Sequence, residues 1–445
     1  MEKCSNNTEL CGNHAEQRSN AEEWCSLNNV CGGCTYGGMR YEEQLVEKER
    51  KLRETLAPAL DEASIWEGVI PSPLQERYKN KMEYSFGDEV KDGPLTLGMH
   101  KKKSFYSVVT CADCRIVQED YNRIVQATVT FFEARKIPYV HKRSHEGYLR
   151  HLLLRRSFAS GDVLVDLVTA DYVKADSAMV NSADKVTEDS ADAVSVNTDS
   201  VRNCEAELLA AWKEMLLNLP LDGRIAGILH TRNNSPADAV IDEGTEVLYG
   251  QDYIIEECLG LKFKVTPFSF FQTNSRGAEA LYTKVREYVG DTTGKTVYDL
   301  YSGTGTIAQL VAPVAEKVYG VEIVPEAVEA AKENAAANGL ANCEFIAGDV
   351  LQVIDTLEQK PDMIILDPPR DGLHPKMLPK IAGYGIEKIV YVACKPASFV
   401  RDMEYFKGMG YRVERAAGCD MFPFTKHCEC VVLLSKHSNR IEIIL

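Results

Sequence analysis

Hydrophobic and polar positions follow two different patterns along the chain. Residues 65–170 contain short alternating segments, which predict a half-buried antiparallel sheet with a helix near residues 119–135. After about residue 276, apolar strands alternate with helical segments, which predicts a mostly parallel, doubly wound α/β sheet. Leucines at helical spacing between residues 36 and 60 predict one further helix, ahead of both sheets.

The predicted strands are short apolar or alternating runs. In the first pattern they lie at residues 84–86, 95–99, 105–109 and 163–168. Further strands are predicted at 225–230, 261–265, 296–300, 318–322, 345–347, 363–366, 389–393 and 429–434, with a helix at 278–288. Glycines, acids and a cysteine follow several of the late strands, so we expect the chemistry at that edge of the sheet.

Composition divides the chain into four predicted segments, because 445 residues exceed a single core. Residues 1–24 are polar and aperiodic and are expected to be disordered. Residues 25–60 hold a cysteine-rich knot and a helix. Residues 61–270 form a central domain, interrupted at 175–203 by a low-complexity insertion rich in Ser, Asp, Ala and Asn. Residues 271–445 form the α/β domain.

Cysteine content and hydropathy indicate in which cellular compartment the protein is expected. Fourteen cysteines fit a reducing environment, where thiols serve metals or catalysis rather than disulfides. No apolar run approaches the roughly 18–20 residues of a spanning helix. The amino terminus is polar and lacks the apolar core of a signal peptide. We therefore expect a cytoplasmic protein.

The formal net charge of −16 argues at first against a nucleic-acid partner, but the charge is unevenly distributed. Acidic residues concentrate between 175 and 207. Basic residues cluster at Lys79/Lys81, His100–Lys103, His141–Arg143 and Arg150/Arg155/Arg156. Four such clusters within residues 75–160 predict a phosphate-facing surface.

A glycine-rich loop at Asp299–Thr306 follows an apolar strand and opens a helix, the arrangement of a nucleotide-cofactor site. Glu322 ends the next strand, about 20 residues on, where an acceptor for a ribose diol belongs. Asp349 and the motif that starts at Asp367 end two later strands. Nicotinamide enzymes do not usually carry Asp-Pro-Pro there, so this set favours a Rossmann-like domain that binds S-adenosylmethionine.

A thiol stands at the end of another apolar run. Cys394 follows residues 389–393 and precedes Lys395, a cation that we expect to favour the thiolate. Glu429 supplies a carboxylate base farther along the chain. A cofactor loop, a thiol and a carboxylate in one domain predict covalent catalysis.

Five ordered motifs resemble those of the RNA uracil-C5 methyltransferases, from about Cys25 to the carboxyl terminus. The motifs are Phe271-Gln272-Thr273-Asn274, Asp299–Gly305, Asp367-Pro368-Pro369-Arg370, Tyr391–Pro396 and Phe422–Glu429. The chain is similar in particular to the iron–sulfur branch that acts on 23S ribosomal RNA. The resemblance implies a methyltransferase domain, an α+β central RNA-binding domain and a small iron–sulfur segment.

The resemblance also implies residue roles. Cys394 would add to C6 of uracil, and Glu429 would remove the C5 proton. The cofactor-contacting positions would be Gln272, Tyr301, Glu322 and Asp367, with Gly303, Thr306 and Asp349 as companions. This chain departs from the family at Ser302, Ala393, Lys395 and Phe424, and Lys395 is the departure that could alter the rate.

Cys25, Cys31 and Cys34 resemble the family's iron–sulfur ligands, with Cys114 as the fourth. Four thiolates suit a [4Fe–4S] cluster. Cys111 competes with Cys114 for that place. A four-thiolate zinc site would instead use Cys31 with Cys34 and Cys111 with Cys114, although the gap between these two pairs is long for a zinc site.

The sequence therefore predicts an enzyme that forms 5-methyluridine in 23S ribosomal RNA. A transfer RNA uridine methyltransferase is the same-class alternative, although such enzymes often lack the cysteine knot. An amino-methyltransferase acting on nucleobases usually has an aromatic residue where Arg370 stands. A metal-stapled RNA-binding protein without activity is the alternative from another class.

Overall fold

The computed structural model describes residues 24–171 and 198–436. Its helices are α1 (Tyr41–Leu56), α2 (Glu119–Ala134), α3 (Thr198–Leu217), α4 (Ser275–Val289), α5 (Thr306–Val311), α6 (Pro325–Ala337), α7 (Val350–Val353), α8 (Met377–Gly383) and α9 (Pro396–Gly408). Short 3₁₀ turns follow α5 at Ala312–Val314 and α7 at Ile354–Thr356.

The strands form two large sheets and one hairpin. They are β1 (Ile65–Ile70), β2 (Lys81–Asp88), β3 (Leu95–His100), β4 (Val108–Thr110), β5 (Leu149–Arg156), β6 (Asp162–Thr169), β7 (Arg224–Arg232), β8 (Thr245–Gly250), β9 (Ile254–Cys258), β10 (Leu261–Val265), β11 (Thr292–Leu300), β12 (Ala315–Glu322), β13 (Cys343–Ala347), β14 (Met363–Leu366), β15 (Lys388–Ala393), β16 (Tyr411–Cys419) and β17 (Glu429–Lys436). The hairpin joins β9 and β10.

The eight-stranded sheet has the order β1-β16-β17-β15-β14-β11-β12-β13. β17 runs antiparallel to both of its neighbours, and the other pairs are parallel. This confirms the predicted mostly parallel α/β sheet. The carboxyl ends of β11, β12, β14 and β15 share one edge, and β17 begins at that same edge because it runs the other way.

Apolar runs make the central strands of this sheet. All four residues of β14 are buried, and only the first residue of β15 is exposed. Ile364 and Val390 are fully buried, and burial of such a side chain contributes about 1.5–3 kcal/mol. Two packed cores, one on each face, therefore hold the strand ends in fixed register.

The second sheet has the order β4-β3-β2-β5-β6-β7-β8, and α2 and α3 cover it. Its pairs are antiparallel as predicted, except for β6 and β7, which are parallel. Trp212 of α3 and Phe132 of α2 are fully buried between the helices and the sheet. A parallel pair needs a crossover connection, and the chain between β6 and β7 includes α3.

Two predicted boundaries differ from the structure. Ile65–Ile70 falls in the range predicted as central domain, but it pairs with β16 at the edge of the eight-stranded sheet. Its apolar side chains pack there on α1, whose Leu52 belongs to one of the two cores of that sheet. The predicted insertion at 175–203 ends inside α3, so its last residues are helical. The other domain limits stay predictions.

Some predictions fall outside the described residues. The disordered tail predicted for 1–24 is described only at Trp24, and the insertion only from residue 198 onward. Within the described ranges, every helix is too short or too polar to cross a membrane.

Candidate functional site

Antiparallel register brings the predicted thiol and carboxylate together. Ala393 ends β15 and pairs with Cys430 of β17, so Cys394 and Glu429 face each other one step beyond. The neighbouring strand β14 ends just before Asp367. Cys394 is half-buried, and Glu429 is only 9% exposed. Three predicted residues therefore meet at the carboxyl edge of the sheet.

Burial dominates the electrostatics of this group. It raises the pKa of Glu429 to about 8, assisted by the negative charge of Asp367 and opposed by Arg370. Burial also raises the pKa of Asp367 to about 7. The pKa of Cys394 is raised by burial first and then by the charges of Glu429 and Asp367. The carboxyl groups of Glu429 and Asp367 therefore take up and release protons near neutral pH.

The expectation that Lys395 favours the thiolate is wrong. Burial and the two carboxylates raise the pKa of Cys394, and the cation that opposes them is Arg370. Lys395 is exposed at the amino end of α9, where the chain turns out of β15. Arg370 is held near the thiol because the Ser398 hydroxyl donates to its carbonyl at 2.7 Å. Lys395 is next to Cys394 in sequence, but the positive charge that lowers the pKa of the thiol comes from Arg370.

The glycine loop follows β11 in left-handed backbone geometry. Tyr301, Gly303 and Gly305 have φ angles of 68°, 54° and 72°. A Cβ on Gly305 would lie 2.5 Å from the Phe345 ring, whereas a Cβ on Gly303 would make only an ordinary contact with Phe270 at 3.7 Å. The Gly303 N–H donates to Glu322 Oε2 at 3.0 Å, which links the loop to the end of β12. The loop therefore keeps an open cradle beside an acid.

Asp299, which the sequence had not marked as a cofactor-contacting residue, is the buried acid beneath this loop. One carboxylate oxygen accepts the Ala308 N–H at 2.9 Å, and the other has no hydrogen-bond partner among the described residues. Burial, with the charges of Asp367 and Glu322, raises its pKa to about 8. A cluster of acids with an unmet buried oxygen fits a cationic ligand such as the sulfonium and ammonium groups of S-adenosylmethionine. Its place at the start of the glycine motif was the available signal.

Gln272 is connected to the same acids through α4. Its side chain hydrogen-bonds the hydroxyl of Tyr282, a buried residue whose pKa is raised by burial and then by the charge of Asp367. Asn80 of the central domain donates to the Gln272 carbonyl at 3.0 Å. Tyr282 had not been singled out, since nothing in its sequence context distinguishes it from a core aromatic.

The companion positions differ in exposure. Thr306 is buried in the first turn of α5. Asp349 is exposed and caps α7, where its Oδ1 accepts the Leu351 N–H at 2.9 Å. Asp349 still acts at the site, because its charge, after burial, raises the pKa of Tyr301 to about 12. The structure gathers all predicted cofactor positions at one edge, while their roles stay predictions.

Exposed apolar side chains flank the glycine loop. Phe270 is 66% exposed and Ile323 is 64% exposed, although both lie beside buried strands or motifs. The Phe270 ring is the nearest group to a Cβ built on Gly303, at 3.7 Å. Sequence reasoning missed both, because a single apolar residue in a motif predicts a core position more often than a binding surface.

Five thiols line one small cavity in the amino-terminal half. They are Cys25, Cys31, Cys34, Cys111 and Cys114. A hydrogen bond with Cys111 lowers the pKa of the Cys31 thiol. Burial raises the pKa of Cys34 and Cys114 to about 12. Within the described ranges, no set of His, Cys, Asp and Glu side chains is arranged around a metal position. The donors fit a metal cluster chemically, and both candidates for the fourth ligand are present.

The predicted basic surface is smaller in the structure. Arg150 and Arg155 are buried and donate to backbone carbonyls, for example Arg150 to Asn233 at 2.9 Å and Arg155 to Pro267 at 3.1 Å. Their prediction as phosphate-facing residues is wrong, because β5 lies in the middle of the central sheet.

An exposed aromatic pair lies among the cations that remain near the surface. Phe105 and Tyr106 are 62% and 52% exposed. The Lys142 ammonium is 4.4 Å from the Phe105 ring centre, and the Arg143 guanidinium is 5.1 Å from that of Tyr106. Residues 100–106 form what we call the aromatic loop.

Comparisons with known proteins agree with this geometry. A sequence profile described as tRNA (Uracil-5-)-methyltransferase matches residues 241–437. An uncharacterised RNA methyltransferase of Clostridium tetani is 43% identical over 93% of this chain and 84% of its own length. Another, from Caldanaerobacter subterraneus, is 43% identical over 93% of this chain and 85% of its own.

A solved structure also matches. It is Pyrococcus abyssi tRNA (uracil-54, C5)-methyltransferase in complex with S-adenosyl-L-homocysteine, with a TM-score of 0.67 and 25% identity. The match covers 91% of this chain and 86% of that one. The mixed α/β fold predicted for the catalytic domain is confirmed as a methyltransferase fold. Residues 241–437 thus match the tRNA (uracil-5-)-methyltransferase profile, and the chain as a whole belongs to the RNA methyltransferases.

Proposed function

We propose that this enzyme methylates uridine at C5 in 23S ribosomal RNA, with Cys394 as nucleophile and Glu429 as base. The observation that carries the proposal is the register of β15 and β17, which sets a thiol beside a buried carboxylate. The raised pKa of Glu429, about 8, suits a group that must accept a proton from carbon near neutral pH.

The two residues perform complementary steps. The Cys394 thiolate adds to C6 of uracil, which moves electron density onto C5. S-adenosylmethionine, when bound, would supply an electrophilic methyl group on a positively charged sulfur. C5 would form a bond to this methyl carbon as the sulfur–carbon bond breaks, and S-adenosylhomocysteine would leave. Glu429 accepts the proton from C5, the C5–C6 double bond re-forms, and Cys394 leaves as a thiolate. Arg370 favours the thiolate at both ends of this sequence, since its charge lowers the pKa of Cys394.

RNA carrying 5-fluorouridine tests the covalent step. Fluorine cannot leave as a proton, so an adduct stable to denaturing gels should accumulate in the presence of S-adenosylmethionine. Cys394→Ser should abolish the adduct, while Cys204→Ser, at an exposed cysteine on α3, should not. Absence of an adduct with every candidate RNA would refute covalent catalysis by this thiol.

The choice of 23S ribosomal RNA rests on residues 24–44, which we call the cysteine segment, because its cysteines resemble those of the iron–sulfur branch. Transfer RNA is a second candidate, because the matching solved structure is named a tRNA (uracil-54, C5)-methyltransferase. Incubation with labelled S-adenosylmethionine and an equal mixture of unmodified 23S and transfer RNA separates the two. We expect label in 23S RNA, and label confined to transfer RNA would contradict this choice.

The aromatic loop supports contact with single-stranded RNA. Bases stack on exposed aromatic rings, and nearby cations attract the phosphates. Phe105 and Tyr106 meet edge to face with ring centres 5.4 Å apart, and more than half of each side chain remains exposed to solvent. We propose this loop, in place of the buried arginines of β5, as the main RNA-facing part of the central domain.

We also propose that Cys25, Cys31, Cys34 and Cys114 hold a [4Fe–4S] cluster. Their shared cavity and all-thiol donor set support it. Anaerobically purified enzyme should contain about four iron and four sulfide per chain. Cys114→Ser should lose this iron, whereas Cys111→Ser should keep it. Zinc without sulfide would refute the cluster, and the reverse pattern of variants would make Cys111 the ligand.

A further inference from the structure

We infer that the cysteine segment positions the catalytic base, through contacts of Trp24 and Gln44 with the loop that leads to Glu429. We call residues 420–428, between β16 and β17, the catalytic loop. The inference rests on the proposed function, because it assigns these residues a part in proton removal by Glu429. Trp24 and Gln44 are positioning residues and would not touch the substrate.

Phe424 is the centre of these contacts. Its ring stacks on Trp24 with ring centres 3.9 Å apart and 28° between planes. Its N–H donates to Gln44 Oε1 at 2.7 Å, and its carbonyl accepts the Tyr36 N–H at 2.9 Å. The ring, the donor and the acceptor of this one residue are therefore all held by the amino-terminal segment.

Phe424 needs to be held, because its φ angle is +64°. A bulky residue in the left-handed region is a genuine outlier, and it persists only where surrounding contacts over-determine it. Gln44 is fully buried and also donates to the Met39 carbonyl at 2.9 Å, so its own orientation is fixed. Without these contacts the loop would relax toward an ordinary backbone conformation.

The same segment carries three of the five cysteines of the cavity, namely Cys25, Cys31 and Cys34. Trp24 precedes Cys25 and lines the cavity, and its carbonyl accepts from Arg115 at 3.1 Å. Tyr36 follows Cys34 by two residues. These three thiols and the contacts on Phe424 therefore belong to one continuous stretch, which gives the cysteine segment a role without electron transfer.

Relaxation of the loop should affect one step more than the other. Cys394 follows β15 and lies outside the catalytic loop, so we expect addition to C6 to be less affected. Glu429 directly follows the loop, and a shift of about 1 Å in a reacting group lowers a rate by about tenfold to a hundredfold. Trp24→Ala should therefore accumulate a methylated Cys394 adduct with ordinary uridine RNA, because release is slowed.

The experiment compares full-length, cluster-loaded Trp24→Ala with Trp24→Phe and with Trp66→Ala. Trp66 is a matched control, because it is half-buried and donates to Glu49 of α1 at 3.1 Å, but it packs at the β1 edge. Turnover should fall about tenfold or more in Trp24→Ala, recover in Trp24→Phe and change little in Trp66→Ala. RNA affinity should be unchanged in all three.

Two readouts separate positioning from loss of structure. Trp24→Ala combined with Glu429→Gln should be no slower than Glu429→Gln alone, because both act on one group. Amide hydrogen exchange should become faster in the catalytic loop of Trp24→Ala and stay unchanged in β15.

Three results would overturn the inference: unchanged exchange in the loop, unchanged turnover, or additive slowing in the double variant. The hydrogen-exchange result does not depend on catalysis. It therefore tests the contact even if wild-type enzyme forms no adduct with 5-fluorouridine RNA, an outcome that would refute the proposed function instead.

Discussion

At the residue scale, Glu429 links burial to pH dependence. A base must be deprotonated to act, and burial with the charge of Asp367 raises the pKa of Glu429 to about 8. Under conditions where proton removal limits turnover, the rate should rise as pH increases through about 8 and level off above it. Methyl transfer measured between pH 6 and 10, by about one pH unit per step, tests this. A rate already constant from pH 6 would contradict the assignment.

We expect the Asp299 carboxylate to lower the free energy of unfolding at high pH and to strengthen the binding of S-adenosylmethionine. Its pKa is raised to about 8, above the ordinary carboxyl value, so its favourable contribution to folding is present below about pH 4 and is lost as pH rises through 8. Asp299→Asn keeps an oxygen for the Ala308 N–H but removes the buried charge.

We therefore expect Asp299→Asn to increase the free energy of unfolding at pH 9 by about 1–3 kcal/mol, with no gain near pH 4. Denaturant unfolding at both pH values measures this. Affinity for S-adenosylmethionine should fall, because a cationic ligand loses its nearest buried charge. Equal stabilisation at both pH values would show that the effect is packing rather than charge.

Site residues could be predicted from sequence where a local motif marks them, but not where their role depends on a contact between distant segments. Cys394 and Asp367 follow recognisable apolar strands and carry motifs, so local pattern was sufficient. Arg370 was not singled out as a partner of the thiol, because its proximity comes from the Ser398 contact across two segments. Lys395, the N-cap residue of α9, was assigned that role, but the cation that lowers the pKa of Cys394 is Arg370.

At the element scale, α1 and the catalytic loop are joined by a buried ion pair. Lys48 donates to Asp420 at 2.6 Å and to the Phe422 carbonyl at 3.0 Å, and both charged side chains are fully buried. The Tyr41 hydroxyl donates to the other Asp420 oxygen at 3.0 Å. A buried pair of this kind is costly to break, because the remaining charge has no partner.

Lys48→Met should therefore lower the free energy of unfolding by about 3–5 kcal/mol, measured by urea denaturation. Lys48→Met with Asp420→Asn should recover part of the loss, because no unpaired charge is left. As a surface comparison, Lys332→Met removes an exposed pair with Glu329 and should change stability by less than about 1 kcal/mol. Equal effects of the two lysines would contradict the burial argument.

Elements with one clear period could be predicted, and elements with mixed chemistry could not. β14 was predicted to the residue at 363–366, because an apolar run between polar flanks can only be buried. β5 was predicted as a basic cluster because it contains Arg150 and Arg155. These arginines are buried and donate to carbonyl groups about a hundred residues away, which the local sequence does not indicate. β1 was missed because its partner β16 is distant in sequence.

At the scale of the whole molecule, an acidic protein must bind an acidic polymer. The net charge is −16, so long-range repulsion has to be overcome by a local surface. The aromatic loop combines cations with exposed rings and lies against the cysteine segment, where the Gly32 N–H donates to the His100 carbonyl at 2.8 Å. That segment in turn contacts the catalytic loop through Trp24. RNA bound at the rings would thus lie on the same set of packed segments that holds the base.

Stacking and charge at this surface should be separable by salt. Phe105→Ala should weaken RNA binding by about 1–3 kcal/mol at every salt concentration, because base stacking is not an ionic contact. Lys103→Ala, at an exposed lysine of the same loop, should reduce the slope of log affinity against log salt by about one phosphate contact. Lys91→Ala, an exposed lysine between β2 and β3, serves as the charge control and should leave the slope unchanged. Titrations between 50 and 200 mM salt, at roughly four concentrations, give both quantities. If Phe105→Ala altered the slope of log affinity against log salt and Lys103→Ala did not, Lys103 would not contact a phosphate. The aromatic loop would then not bind bases by stacking on Phe105.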